Sequence, residues 1–410
     1  APDNAYLQIS EKHAWTLLGQ LREIHPRLAE YHFRDACRMP PVPHTGKIIE
    51  WIMGQKDTFE PMVDPTPGKD SSIVLDLSVE SPLVNGIDIQ NDTADMSRAI
   101  FGQMHQKGAV IGIGCYDEAR AIYISDAYRQ QREQMPEMRT IHMGMDLHML
   151  PGSSIRAFYE GNVHSFSNNA ARYDYGPTII LSHTTGDGVP FYTLYGHLSP
   201  ASLENLRVGQ EIARGETFAE IGDTHVNGGW PPHLHFQIIT DMLGEAGNYK
   251  GVAPPSQRHV WKALSPDPNL ILGIHGSLFP SRGRSRAEIL KFRNKHIGKN
   301  YSISYDKPLK IVRGRGQYLI DQNGQAYLDG VNNVTHVGHC HPEVVAAGQR
   351  QMGVLNTNTR YLHDHIITYT QKLLSKFPEP LSVCFFVCTG SEANELAFRL
   401  ARTYTGRKDI

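Results

Sequence analysis

Thr140-Ile141-His142-Met143-Gly144-Met145-Asp146 opens, and Pro231-Pro232-His233-Leu234-His235-Phe236-Gln237 closes, the stretch around which the rest of the chain is organised. His142 and Asp146 are four residues apart, and His233 and His235 are two apart. In an extended strand, residues i, i+2 and i+4 point to the same side, so each cluster turns its polar side chains one way. Imidazole nitrogen and carboxylate oxygen suit zinc, and two such clusters can together supply three ligands and leave room for a water. Between them lies Tyr195-Gly196-His197-Leu198, a further histidine in an apolar strand. One histidine in such a setting is ordinarily a core or surface residue; the ordered set points to chemistry.

The surrounding text, from 142 to 272, is all strand and turn. Segments 154–157, 161–166, 177–183, 191–198 and 233–239 are rich in β-branched and aromatic residues and are punctuated by Gly, Asn and Asp, which predicts strands. Thr185-Gly186-Asp187-Gly188 reads as a hairpin turn, and 208–215 with 221–222 as two more short strands of a meander. His-x-x-x-Asp, Tyr-Gly-His-Leu and Pro-His-Leu-His-Phe, in that order, closely resemble the lysostaphin-type (LytM-type) zinc endopeptidases over about residues 138–272. The resemblance implies that His142, Asp146 and His235 bind zinc while His197 and His233 flank the water at the metal. His233 is then expected to be the general base and His197 to stabilise the tetrahedral intermediate, with the roles open to exchange. Such relatives mostly cut peptides of cell-wall peptidoglycan, so the expected substrate is a peptide or amide. Asn227-Gly228-Gly229-Trp230-Pro231-Pro232 departs from the family's Gly-rich pattern by an indole and two prolines that narrow the cleft.

Upstream, Leu17, Leu18, Leu21, Ile24 and Leu28 are spaced for one helical face, Pro40-Pro41-Val42-Pro43 breaks it, and 47–54 is a second amphipathic piece before a linker at 61–68. Ile73-Val74-Leu75-Asp76-Leu77 reads as a buried strand. Residues 92–107 read as a helix with Asp92 or Thr93 as N-cap and Met96, Ile100, Phe101 and Met104 on one face. Gly108 ends it, and strands at 109–113 and 121–124 follow. Residues 1–130 carry no catalytic signature. The region resembles the segment ahead of the peptidase in long bacterial proteins that fuse an aminoglycoside-phosphotransferase-like kinase, this peptidase type and an aminotransferase. The kinase's catalytic motifs are absent, so no kinase activity is expected.

Downstream, 282–299 reads as a basic, solvated linker helix, and 310–312, 317–320 and 327–329 as strands. Helices are expected after Pro342 and over 363–376, and a strand over 381–388 feeds Thr389-Gly390-Ser391-Glu392-Ala393-Asn394-Glu395 at a helix start. Free N–H groups and the helix dipole make such a start a place for phosphate, although a plain capped turn would read the same way. Gly330-Val331-Asn332-Asn333-Val334, Val337-Gly338-His339-Cys340-His341-Pro342 and 356–363 join that run in resembling class III, fold-type I aminotransferases, and most of all the phospho-lyase branch. The resemblance implies that Gly390 and Ser391 hold the phosphate of pyridoxal phosphate (PLP). In that family the Schiff-base lysine and the acidic partner of the pyridine nitrogen follow further on, so PLP chemistry is expected only of a full-length parent and the zinc site is the one complete site here.

Forty basic and 42 acidic residues leave the charge near neutral, which gives no sign of nucleic acid or of an anionic membrane surface as partner. Five cysteines without framework spacing favour a reducing, cytoplasmic setting, and no apolar run approaches a spanning helix. The expected architecture is multidomain α+β: a helical segment 1–68, a small α/β segment 69–135, a central all-β antiparallel peptidase 136–275, and the partial α/β front of an aminotransferase at 276–410, through which the chain is expected to form homo-oligomers. The alternative is a zinc-binding linker that hydrolyses nothing, in a protein whose main work is PLP-dependent transamination or phospho-lyase chemistry.

Overall fold

The computed structural model describes residues 25–68, 71–83, 93–123, 128–130, 137–280, 283–303, 305–332 and 336–409. The chain divides into two compact units, 1–342 and 343–410. In the first, eight strands form one sheet: β1 (Ser72–Leu75), β2 (Ile111–Gly114), β3 (Met145–His148), β4 (Gly161–Asn169), β5 (Gly176–Thr184), β6 (Pro190–Gly196), β7 (Glu211–Ile212) and β8 (His233–Ile239). Their order is β1-β2-β3-β8-β6-β5-β4-β7. Every pair is antiparallel except β1 with β2. The segment ahead of Thr140 therefore adds two strands to the sheet that carries the histidines.

β5 and β8 are central and buried on both faces; β5 carries the apolar run Ile179-Ile180-Leu181, whereas β8 alternates His233, His235 and Gln237 with Leu234, Phe236 and Ile238. The β5–β6 hairpin closes where expected, with the Thr185 hydroxyl donating to Asp187 at 2.6 Å and Gly188 at φ +84°. Helix α1 (Pro26–Ala36) carries Leu28; Leu17, Leu18, Leu21 and Ile24 lie outside the described residues. Helix α2 (Thr45–Gln55) buries Ile48 and Ile52, one turn apart, in the same core as Leu147, Ile180, Leu194 and Phe236. Helix α3 (Thr93–Gln106) buries Met96, Ile100 and Met104 on one stripe, packed with Leu75, Tyr123 and Trp230 in a second cluster beside the histidines. Asp92 and Ile124 lie outside the described residues.

Two sequence expectations change. Residues 121–123 form a 3-10 turn, not a strand, and the short pairing of Glu118–Ala119 just ahead of it is what runs beside Ile141–His142. His142 and Asp146 do not share one strand: Ile141–His142 belongs to a three-stranded sheet and Met145–His148 to the large one. The break falls at Met143-Gly144, where a Cβ on Gly144 would meet His235 Cε1 and Nε2. The chain must change direction there to let that ring in.

Strands Ile311–Arg315, Tyr318–Asp321 and Ala326–Leu328 form an antiparallel sheet whose Asp321–Gly324 turn docks on Thr140, the Thr140 hydroxyl donating to Asn323 O at 2.6 Å. Helix Arg286–His296 carries a Ser285/Glu288 capping box and buries nothing, as expected of a solvated helix. In the second unit, helices Asp364–Leu374 and Gly390–Thr405 are present. Residues 381–388 are not a strand: the described residues offer them no ladder partner, and Val383 stays 75% and Phe385 63% exposed.

Candidate metal centre

The register of β3 on β8 builds the centre. It sets Asp146 opposite His235 and His148 opposite His233, and β6 brings Gly196 opposite His235 on the other side. His197 follows at φ +64°, a left-handed conformation that a β-carbon disfavours at about 1–3 kcal/mol and that is met at functional sites. His142, Asp146 and His235 are 1%, 2% and 3% exposed.

His142 Nε2, Asp146 Oδ1 and His235 Nδ1 form a triangle with edges of 3.1, 3.1 and 3.2 Å. Donors on a tetrahedral zinc with bonds of about 2.0–2.1 Å stand about 3.3 Å apart, so the triangle fits that ion. The outer hydrogen bonds decide the tautomers. His142 Nδ1 donates to Cys115 O at 2.9 Å, which leaves Nε2 a bare lone pair. Gln237 Nε2 donates to Ser265 Oγ at 2.7 Å and Lys250 O at 3.2 Å, so its oxygen faces His235 Nε2 at 3.0 Å and takes that proton. His235 Nδ1 is then also a lone pair. Three acceptors point at one another with no proton between them, an arrangement that a cation stabilises and little else does.

Electrostatics keep these groups ready. Burial works to raise the Asp146 carboxyl, but the His142 ring, Arg120 and His233 hold it well below the usual carboxylate range. Burial, followed by Arg120, pushes His142 down to about 4. His233 is pushed down to about 3 and His197 well below its ordinary value, burial leading in both. All four groups are deprotonated at neutral pH, as metal ligation and proton acceptance require.

His233 Nδ1 donates to Pro231 O at 2.6 Å and His197 Nδ1 to Asn227 O at 2.9 Å. Each ring thus offers its Nε2, the ring centroids lie 4.2 Å apart, and His233 Nε2 is 3.7 Å from Asp146 Oδ1. Four of the five residues singled out by sequence, Asp146, His197, His233 and His235, line a cavity of about 460 Å³, and His142 joins them behind it through His235. Its wall is partly aromatic: Trp230 is buried edge-on to Tyr123 at 6.1 Å and packs on Tyr173 at 5.6 Å.

Three participants escaped the sequence reading. His148 stacks on His233 at 4.8 Å with both ring nitrogens buried and unpartnered among the described residues. Its position two residues past Asp146 was signal enough, since i and i+2 share a strand face. Gln237 stood two past His235 in the same way. Arg120, which donates to Asp146 Oδ2 at 2.6 Å, had no sequence signal at all. Gly390 and Ser391 lie elsewhere, at the start of helix Gly390–Thr405, under a Thr389/Glu392 capping box.

Residues 140–249 match the model of Peptidase family M23, and residues 301–410 that of Aminotransferase class-III. An alanine--glyoxylate aminotransferase 2-like protein of Drosophila melanogaster is 56% identical over 135 residues, 33% of this chain and 27% of the relative. A phospholyase from Arthrobacter in complex with phosphoethanolamine is 46% identical over 29% of this chain and 28% of its own, with TM-score 0.28. The catalytic domain of lysostaphin from Staphylococcus simulans is 24% identical over 29% of this chain and 80% of its own, with TM-score 0.21. The chain spans about a quarter of the length of the curated relatives it matches. It joins a peptidase-type segment to an aminotransferase-type one.

Proposed function

We propose that the segment around residues 140–249 hydrolyses a peptide or amide bond, with zinc held by His142 Nε2, Asp146 Oδ1 and His235 Nδ1. The observation that carries the reading is the triangle of three proton-free acceptors about 3.1 Å apart, two of them fixed as lone pairs by the outer bonds to Cys115 O and Gln237. Zinc, if held there, would supply Lewis-acid chemistry, lowering the pKa of a water from about 15.7 to about 7 and polarising a carbonyl. His233, whose Nδ1 proton is committed to Pro231 O, takes the proton of the attacking water on Nε2 and passes it to the departing amine. His197, neutral with its Nδ1 proton committed to Asn227 O, presents Nε2 to the same cavity and would donate to the oxygen on which charge develops once Nε2 has taken up a proton from the cleft. Because both rings offer Nε2 to the same cavity, the two roles can exchange. Trp230 and Tyr123 shield the cleft from bulk water and favour an extended, slender substrate.

We propose further that Gly390 and Ser391 hold the phosphate of PLP, the cofactor that supplies an electron sink. The first-turn N–H groups of a 16-residue helix and the open space at Gly390 suit a phosphate. Copies of the chain would then pair through the exposed apolar surface of that region.

The test is elemental analysis joined to a peptide panel on the purified chain. The parent is expected to carry about one zinc, His142→Ala much less. His233→Ala is expected to keep the metal and lose roughly 10²–10⁴-fold in hydrolysis. No metal in the parent would defeat the reading; metal without hydrolysis of any peptide would favour the linker alternative.

A further inference from the structure

We propose that Arg120, together with the carbonyl of Cys115, positions the metal ligands, so that residues 111–123, ahead of the peptidase-family match, belong to the centre. The proposal rests on the reading of His142, Asp146 and His235 as ligands.

Arg120 is 1% exposed and every arm of its fork is used. Nη1 donates to Asp146 Oδ2 at 2.6 Å, Nε to Glu118 Oε2 at 2.8 Å and Nη2 to Cys115 O at 3.2 Å. The same Cys115 carbonyl accepts from His142 Nδ1 at 2.9 Å. One short loop therefore sets the tautomer of the first ligand and the orientation of the second. By taking Oδ2, Arg120 leaves Oδ1 as the carboxylate atom that faces His142 and His235, and so fixes one-oxygen ligation. Glu118 holds the Nε edge of the fork in place.

The sheet is shaped for this contact. Gly114 on β2 lies opposite Asp146 on β3, and a Cβ there would come within 2.8 Å of Arg120 Nη2 and 3.0 Å of Asp146 Oδ2. Only a residue without a side chain lets guanidinium and carboxylate meet across those strands. A lysine at 120 would keep the charge and lose the fork, since an ammonium cannot serve the three acceptors in one plane.

The experiment uses the full chain, stripped of metal, with two readouts: zinc affinity against a chromophoric chelator, and the visible absorption of the cobalt(II) form. Arg120→Lys is expected to weaken zinc about 10–100-fold, the usual cost of losing an outer partner, and to shift the cobalt bands. Gly114→Ala is expected to move both readouts the same way while retaining Arg120, so the test does not hang on one variant folding. Arg27→Lys, which loosens the separate pair with Asp241 at 2.9 Å, should leave both unchanged. Folded Arg120→Lys and Gly114→Ala proteins with parental affinity and spectrum would overturn the proposal. A parent that takes up neither zinc nor cobalt would instead overturn the ligand assignment beneath it.

Discussion

Gly144→Ala tests the metal centre through one added methyl group. A Cβ at 144 would lie 2.4 Å from His235 Cε1 and Nε2 and 2.9 Å from Phe236 O, where ordinary contact begins at 3.4 Å. The carbonyl is fixed in a central strand paired on both sides, so the ring must give way by about 1 Å. Overpacking of this kind costs about 1–3 kcal/mol, which a domain of this size tolerates. The centre tolerates far less, because ligand distances outside about 0.2 Å of their ideal values no longer describe a zinc site. His235 would also be drawn off Gln237 Oε1, which fixes its tautomer. The variant is expected to fold, by near-ultraviolet circular dichroism, and to retain under about a tenth of the parental zinc after dialysis. Gly186→Ala, whose Cβ meets nothing nearer than 3.9 Å, is the control and should keep its metal. A folded Gly144→Ala protein with the parental zinc content would refute the geometry argued for His235.

Two further outcomes are expected. Burial pushes His142, His148 and His183 down to about 4 and His233 to about 3, below the unfolded value near 6.5. Between those limits the unfolded chain binds more protons, so stability falls as pH falls, by about 1.4 kcal/mol per pH unit for each such histidine. The urea midpoint of the metal-free chain should drop steadily from pH 6.5 to 4.5; a flat profile would show that these rings are not held neutral. Finally, a chain of these 410 residues incubated with PLP should show no borohydride-reducible aldimine band, because the family's Schiff-base lysine follows beyond the matched segment. A band mapped to one of its lysines would contradict that.

The sequence by itself singled out the candidate ligands. His142, Asp146 and His235, with His197 and His233 beside them, are short polar interruptions in apolar strands, and a period of two assigns a face to each. It also determined β5, β6 and β8 and the turn at Thr185–Gly188, because β-branched runs and turn residues are local signals. What it misjudged depended on partners. Residues 381–388 have strand composition, yet a strand exists only where another offers its hydrogen bonds, and the described residues supply none. His142 and Asp146 were placed on one extended run, whereas the bend at Gly144 answers a ring 91 residues further on. Arg120 and Cys115 O lie on a segment without any motif, and they reach Asp146 and His142 only because β2 pairs with β3. The candidate ligand set is written in spacing along the chain; the tautomers, the free carboxylate oxygen and the aromatic wall are set by contacts between distant segments, which only the tertiary structure decides.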